Sequence, residues 1–248
     1  MLSVKIADDE QWRFPDVDSI PEELKTSILQ YEDEYFDWHI GVNPVSTIRA
    51  FWQNFKADKV ISGGSTISMQ VIRLSRKNKK RSYGEKLIEM YLSIRMECSY
   101  SKKEILNLYV SHAPYGGNIV GIQAAAWRYF QRPLHQLSKA EYAMLAVLPN
   151  APSLIHLGKN RGLLKDKRNR LLEKLYKNEL MDSLEYSLSI MEPIPDKPSA
   201  LPQLANHFIN YSISKGYKEQ HINSSIDYHL QKTISSQIDR YIAKVTEI

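Results

Sequence analysis

The chain has 248 residues, of which 43% are hydrophobic and 25% charged, and its formal net charge is +5. These values are typical of a soluble globular chain that forms one large domain, or one domain with part of another. A membrane-spanning helix is excluded because no apolar run reaches ~18 residues, and any targeting segment is expected to lie upstream. A disulfide within the chain is also excluded, because Cys98 is the only cysteine, and its thiol is expected to be buried.

Apolar residues recur at helical spacing along most of the chain, which predicts a mainly α-helical protein. A short extended lead-in over residues 1–20 precedes the first helix, which is expected to begin at Pro21. Further helices are predicted over residues 44–55, 65–75, 82–100 and 163–180. Two capping boxes, Ser101 to Glu104 and Ser138 to Glu141, begin additional helices.

Three prolines within residues 193–198 indicate a linker. We therefore expect a lead-in over residues 1–20, a helical domain over 21–191, and a linker with a further connecting segment over 192–248. A short strand is expected at 224–226.

The segment from Gly63 to Gln70 joins a glycine pair to two hydroxyls and then enters a helix. Glycines let a backbone approach a ligand closely, and the N-terminus of a helix attracts anions. Ser65 or Thr66 is expected to cap this helix and to leave free N–H groups for a phosphate.

Two glutamates are the candidate acid and base. Glu32 follows Tyr31 and precedes Tyr35, Phe36 and Trp38, and these aromatic side chains are expected to exclude water and raise its pKa. Glu89 is the second candidate, and paired carboxylates also suit glycosidic chemistry. Core packing is an equally simple explanation for such an aromatic cluster.

Basic residues are concentrated between Arg73 and Arg81, and Lys86 follows shortly after. Such a run favours phosphates, nucleic acids or anionic lipids, although a solvated loop would have the same composition. The glycine pair is not followed by the Gly-Lys-Ser/Thr of a nucleotide-binding loop, and the histidines lack metal-ligand spacing.

Six segments in chain order resemble the family 51 glycosyltransferase domain of class A penicillin-binding proteins, and the 1C type in particular. The matching segments are Glu32–Gly41, Gly63–Gln70, Arg81–Glu89, Lys103–Tyr109, Ala113–Gly117 and Leu145–Ser153. The resemblance extends over residues 10–190. It implies a lysozyme-like fold with a large and a small helical lobe, and a connector towards a transpeptidase domain that this chain lacks.

The resemblance also implies the reaction. The family polymerises lipid II into β-1,4 glycan strands, with inversion and with release of undecaprenyl pyrophosphate. Glu32 matches the general base, and Glu89 matches the second catalytic glutamate, which is linked to the donor diphosphate and a divalent metal, Mg or Mn. The positions that match substrate-binding residues are Asp33, Phe36, His39, Ser65, Thr66, Gln70, Arg73, Arg81 and Lys86.

The expected partners are lipid II, the growing glycan strand, the membrane surface and other cell-wall synthesis proteins, but no nucleic acid. The expected location is the outer, periplasmic face of the bacterial cytoplasmic membrane, with the anchor outside this chain. Membrane contact would fall to residues 42–60 of the small lobe, unless their aromatic side chains form core. Arg73 stands where lysine is usual in the family, and Glu85 stands where many members have a basic residue. A muramidase or lytic transglycosylase, and a non-catalytic phosphate or nucleic-acid binder, are the alternatives.

Overall fold

The computed structural model describes residues 1–7, 9–17, 19–57, 64–77, 82–150, 160–217 and 220–246. In this part of the chain the backbone forms eleven α-helices, and its only β-pairings are isolated bridges. The helices are α1 Glu22–Glu32, α2 Pro44–Ala57, α3 Ile67–Ser75, α4 Tyr83–Glu97, α5 Lys102–His112, α6 Ile122–Phe130, α7 Lys139–Val147, α8 Arg161–Lys177, α9 Ser183–Met191, α10 Asn206–Ser214 and α11 Tyr228–Thr246. The expectation of a mainly α-helical protein is confirmed.

Hydroxyl side chains begin several of these helices as predicted. Ser101 and Ser138 form complete capping boxes with Glu104 and Glu141 at the starts of α5 and α7. Thr66 caps α3, which therefore begins at Ile67 rather than at the predicted Ser65.

The core of the domain is organised around α7, which is buried from its second residue, Ala140, to its end at Val147. A helix that is apolar on nearly every side needs neighbours on every side. It lies between α1 and α8, which also contact each other, and α6 and α9 complete the packing around it. This arrangement holds the C-terminal end of α1 rigidly.

A second group of helices is joined to this core through α3, which packs on both α4 and α5. The loop before α2 lies directly on α4 at Gly41, which has a φ of +77°. A Cβ atom at Gly41 would lie 2.6 Å from the Ser93 carbonyl carbon, so only glycine permits this contact. The Thr66 hydroxyl donates to the Gly41 carbonyl oxygen at 2.5 Å, which ties this loop to the start of α3.

The N-terminal segment lies against residues 202–204, which follow the proline-rich segment. Val4 N–H donates to the Pro202 carbonyl, and Leu204 N–H donates to the Leu2 carbonyl. Ile194, in the proline-rich segment, is buried in the core cluster. None of the helices in the described part of the chain is both long and apolar enough to cross a membrane.

Two sequence-based expectations are wrong. Residues 224–226 form no strand, because no strand in the described ranges lies beside this largely exposed segment. Cys98 is exposed rather than buried, because Met96 takes the inward position at the end of α4.

Candidate active site

The floor of the site is the junction between the end of α1 and the start of α3. Asp33 follows α1 directly, and its Oδ2 accepts the N–H of Ile67, the first residue of α3, at 3.0 Å. His39 Nε2 lies 3.0 Å from both Asp33 oxygens. Because both side chains are almost fully buried, the pair fixes the position of α3 relative to α1.

Two of the N–H groups at the start of α3, where an anion was expected, are bound by the protein itself. Asp33 takes the Ile67 N–H, and the Thr66 hydroxyl takes the Met69 N–H. The positive end of the helix dipole favours this carboxylate as it would favour a phosphate. The expectation that these N–H groups are free is wrong, and Thr66 is a structural cap.

Glu32 is the last residue of α1, and its carboxylate faces α3. Its Oε2 accepts a hydrogen bond from Gln70 Nε2 at 2.8 Å. Its Oε1 is sealed from solvent and has no hydrogen-bond partner among the described residues. Burial raises the pKa of Glu32, and Asp33 adds to the rise, whereas Gln70, Lys167 and Arg73 oppose it.

Two phenols far along the chain are affected by the charge of this carboxylate. Tyr109 and Tyr115 are buried, and the Glu32 charge adds to burial in raising their pKa values. Like Glu32 Oε1, their hydroxyls have no hydrogen-bond partner in the described part of the chain. Among the aromatic neighbours expected to exclude water, Trp38 is 87% exposed and Tyr35 is 55% exposed. That part of the prediction is wrong, because both side chains point away from the core.

Phe36 is buried and supports the site from behind. Its ring meets the edge of His39 with centroids 6.2 Å apart, and Lys102 Nζ lies 4.5 Å from its centroid. Lys102 also donates to the His39 carbonyl oxygen at 2.6 Å and pairs with Glu97. This position suits the support of His39 rather than contact with a ligand.

Arg73 and Glu89 form a forked ion pair between α3 and α4. Arg73 Nε donates to Glu89 Oε1 at 2.8 Å, and Arg73 Nη2 donates to Glu89 Oε2 at 2.7 Å. Arg73 Nη2 also lies 3.3 Å from Ser65 Oγ. These contacts place Ser65 and Glu89 beside Arg73. The Arg73 charge in turn acts on Glu32 and lowers its pKa.

The remaining predicted cations divide into two cases. Lys86 is partly exposed, and its ammonium makes no ion pair with any described residue. Arg81 lies outside the described residues, as does Gly63. Glu85 pairs with Arg76 at 2.5 Å, so one charge of the basic run is neutralised.

Sequence reasoning missed two residues near Glu32. Lys167 donates to Asn150 Oδ1 at 2.7 Å, and burial lowers its pKa while the Glu32 charge opposes that shift. Asn150 was visible within a family-like segment, but nothing in the spacing connects Lys167, on α8, with Glu32, on α1.

The residues around Glu89 do not fit the divalent metal expected there. Both of its oxygens are engaged by Arg73. In the described ranges, no group of three or more His, Cys, Asp or Glu side chains could hold a metal ion. Mg²⁺ and Mn²⁺ favour free carboxylate oxygens, so this arrangement offers a poor ligand set.

The model of the Transglycosylase family matches residues 2–176, and the chain belongs to this family. Penicillin-binding protein 1C of Escherichia coli (strain K12) is 37% identical over 224 residues, which are 90% of this chain and 29% of that relative. Penicillin-binding protein 1A of Pseudomonas aeruginosa is 38% identical over 182 residues, 73% of this chain and 22% of its own length. The resemblance predicted from the motifs is confirmed.

A more distant relative also matches most of this chain. Penicillin-binding protein 1A of Aquifex aeolicus is 28% identical over 241 residues, which cover 94% of this chain and 33% of the relative. The chain thus spans a third or less of the length of these three relatives.

Proposed function

We propose that this chain is a peptidoglycan glycosyltransferase that polymerises lipid II into β-1,4 glycan strands, with inversion and release of undecaprenyl pyrophosphate. Membership of the Transglycosylase family supports the reaction class. One observation carries the assignment of the base. The Glu32 carboxylate is buried, held through one oxygen by Gln70, and free of protein partners at the other in the described structure.

In this reaction Glu32 takes the proton from the acceptor 4-hydroxyl as that oxygen attacks the donor anomeric carbon. Burial helps, because a carboxylate with a raised pKa is a stronger base. We assign the proton transfer to Oε2, which Gln70 holds in place, because Oε1 is sealed from solvent. The bond from the anomeric carbon to the diphosphate oxygen breaks on the opposite face, which gives inversion.

Positive charge stabilises the departing diphosphate. Arg73, Ser65 and Lys86 supply donors from the region where α3 meets α4, and we assign Arg81 to the same role from its family match. A well-placed donor to a developing negative charge typically contributes ~3 kcal/mol to the transition state. Asp33, His39 and Phe36 position α3, and through it these donors.

Lipid II incubated with the purified chain tests the proposal. High-molecular-weight glycan and free undecaprenyl pyrophosphate are the expected products. Soluble muropeptides released from sacculi, without polymerisation of lipid II, would favour a muramidase or lytic transglycosylase instead. Salt-sensitive DNA binding without lipid II turnover would favour a nucleic-acid binder.

Replacing Gln70 with leucine should lower kcat/KM by about tenfold at neutral pH, the effect of losing one hydrogen bond to a charged group. Because Gln70 lowers the Glu32 pKa, its loss raises that pKa further. The base works only when deprotonated, so kcat/KM falls as the pH drops through the Glu32 pKa of the folded protein. This acidic limb of the pH–rate profile should move to higher pH. Rates measured across pH test the shift.

Gln30→Leu is the matched control, because Gln30 lies on the same helix and bonds to Asn178. It should leave the acidic limb in place. An unmoved limb in Gln70→Leu would show that this hydrogen bond does not control Glu32.

We also propose that the loop before α2, together with α2 and α4, contacts the membrane that carries the lipid substrate. Five large apolar side chains are strongly exposed there: Trp38, Ile40, Val45, Trp52 and Tyr91. The contact of Gly41 with Ser93 holds this loop and α4 side by side. The side chains of Phe51 and Phe55 lie outside the described part of the chain. Such a grouping is typical of a membrane or protein contact surface.

Trp38→Ser combined with Trp52→Ser should weaken binding to phosphatidylglycerol and phosphatidylethanolamine vesicles by about tenfold or more, as expected for losing two apolar side chains that enter the membrane on binding. Vesicle flotation measures this binding. Leu184→Ser, at an equally exposed position on α9, should have little effect. Equal loss in both variants would contradict a localised surface.

A lipid II substrate places the reaction at the outer, periplasmic face of the cytoplasmic membrane, and we propose this location together with contacts to other cell-wall synthesis proteins. The division into residues 1–20, 21–191 and 192–248 stays a prediction.

A further inference from the structure

The forked ion pair between Arg73 and Glu89 uses the geometry that distinguishes arginine from lysine. Two parallel N–H groups of the guanidinium meet the two oxygens of the carboxylate at 2.8 and 2.7 Å. Glu89 is only 5% exposed, so this pair lies in a poorly hydrated setting where the interaction is strong. A lysine ammonium is a compact point charge and does not present this planar fork.

The arrangement leaves donors of Arg73 for a ligand. A guanidinium has five N–H groups. Two of them are directed at Glu89 and one at Ser65, so both N–H groups of Nη1 are unused by the residues that the structure describes. Arg73 can therefore hold Glu89 and offer two donors to one phosphate group at the same time.

Arg73 can supply, next to Glu89, the positive charge that a bound metal ion would supply. A divalent metal at Glu89 would neutralise that carboxylate and attract the leaving diphosphate. Arg73 does both with a side chain that stays charged, since the hydrogen bond and charge of Glu89 raise its pKa further. A metal at Glu89 would have to share both carboxylate oxygens with the guanidinium and lie beside its positive charge.

We propose that Arg73 takes the place of the divalent metal at Glu89, so that this chain transfers the sugar without a metal ion. This inference rests on the proposed glycosyltransferase function. Arg73 thus acts both as a positioning residue for Glu89 and as a direct diphosphate ligand. The metal expected from the family resemblance is then unnecessary in this chain.

Manganese binding tests the inference independently of activity. Mn²⁺ is titrated into the purified wild-type chain, Glu89→Gln, Arg73→Lys and the Arg73→Lys/Glu89→Gln double variant, and free Mn²⁺ is followed by electron paramagnetic resonance. We expect the wild type and Glu89→Gln to bind equally weakly. Arg73→Lys and the double variant should also bind weakly without substrate, because one freed carboxylate oxygen is a single ligand.

Lipid II polymerisation supplies the second readout. Wild-type rates in EDTA and in excess Mg²⁺ should agree within about twofold, whereas Mg²⁺ should stimulate Arg73→Lys by about tenfold or more, the size of a modest transition-state interaction. Arg76→Lys is the matched control, because Arg76 also joins α3 to a glutamate of α4. It should stay insensitive to metal.

Three results would overturn the inference: a wild-type Mn²⁺ site that Glu89→Gln removes, wild-type polymerisation that needs Mg²⁺, or a folded Arg73→Lys that Mg²⁺ does not stimulate. Thermal unfolding reports whether that variant is folded, and if it is not, the comparison of wild type with Glu89→Gln decides. Absence of polymer under every condition would count against the proposed function alone, while the Mn²⁺ titration would still decide the role of Arg73.

Discussion

Glu32→Gln is expected to lower the rate of lipid II polymerisation by about a thousandfold, within the range that general bases contribute. Glutamine keeps the size of the side chain and a partner for Gln70, but it cannot accept the acceptor-sugar proton. Quantified glycan product and released undecaprenyl pyrophosphate measure the loss.

The fold should survive this change. Burial raises the Glu32 pKa above its unfolded value, so its contribution to stability is present at low pH and is lost as pH rises through the folded pKa. At neutral pH the variant should therefore unfold at a temperature no lower than that of the wild type. Glu34→Gln, at an exposed neighbour that pairs with Lys174, should retain wild-type rates. Wild-type polymerisation by Glu32→Gln would exclude Glu32 as the base.

Asp33→Ala is expected to lower the free energy of unfolding by about 3–5 kcal/mol, because two buried donors lose their acceptor at roughly 1–3 kcal/mol each. The substitution leaves His39 buried without its partner and removes the acceptor of the Ile67 N–H. Ser65, Gln70 and Arg73 all depend on the position of α3, so activity should fall as well. Denaturant unfolding measures the change in stability.

A double-mutant cycle with His39→Ala separates the pair from the helix cap. If the two side chains stabilise each other, the double variant should lose less stability than the sum of the single variants. Strictly additive losses would show that Asp33 acts only on α3. A change below about 0.5 kcal/mol in Asp33→Ala, the usual size for a surface substitution, would contradict the structural role.

Much of the fold could be predicted from local sequence. Helix caps at Thr66, Ser101 and Ser138 were readable because a hydroxyl and its backbone partner lie within three residues. Apolar spacing likewise predicted α1 and α2. The strand expected at 224–226 failed because a strand depends on a partner elsewhere, which local pattern does not reveal.

The candidate site residues were chosen from family motifs, and those motifs do not reveal how the side chains contact one another. Sequence reasoning placed a phosphate at the start of α3, where Asp33 lies instead. It also assigned the burial of Glu32 to adjacent aromatic residues, whereas Tyr109 and Tyr115 contribute from far along the chain. These contacts arise from helix packing, and no spacing within one segment encodes them.

The contact between Arg73 and Glu89 was likewise not predictable from the sequence. Each residue matched a family position independently, one as a diphosphate ligand and the other as a metal ligand. Only the packing of α3 on α4 brings them together as a fork.

The most direct test of the account compares two titrations of one group. The Glu32 carboxyl carbon can be followed by ¹³C NMR across pH and assigned by its absence in Glu32→Gln, while kcat/KM for lipid II is measured over the same range. We predict that the Glu32 pKa is raised and that the acidic limb of kcat/KM coincides with it. An ordinary Glu32 pKa, or a limb that departs from the Glu32 titration, would contradict its role as the base.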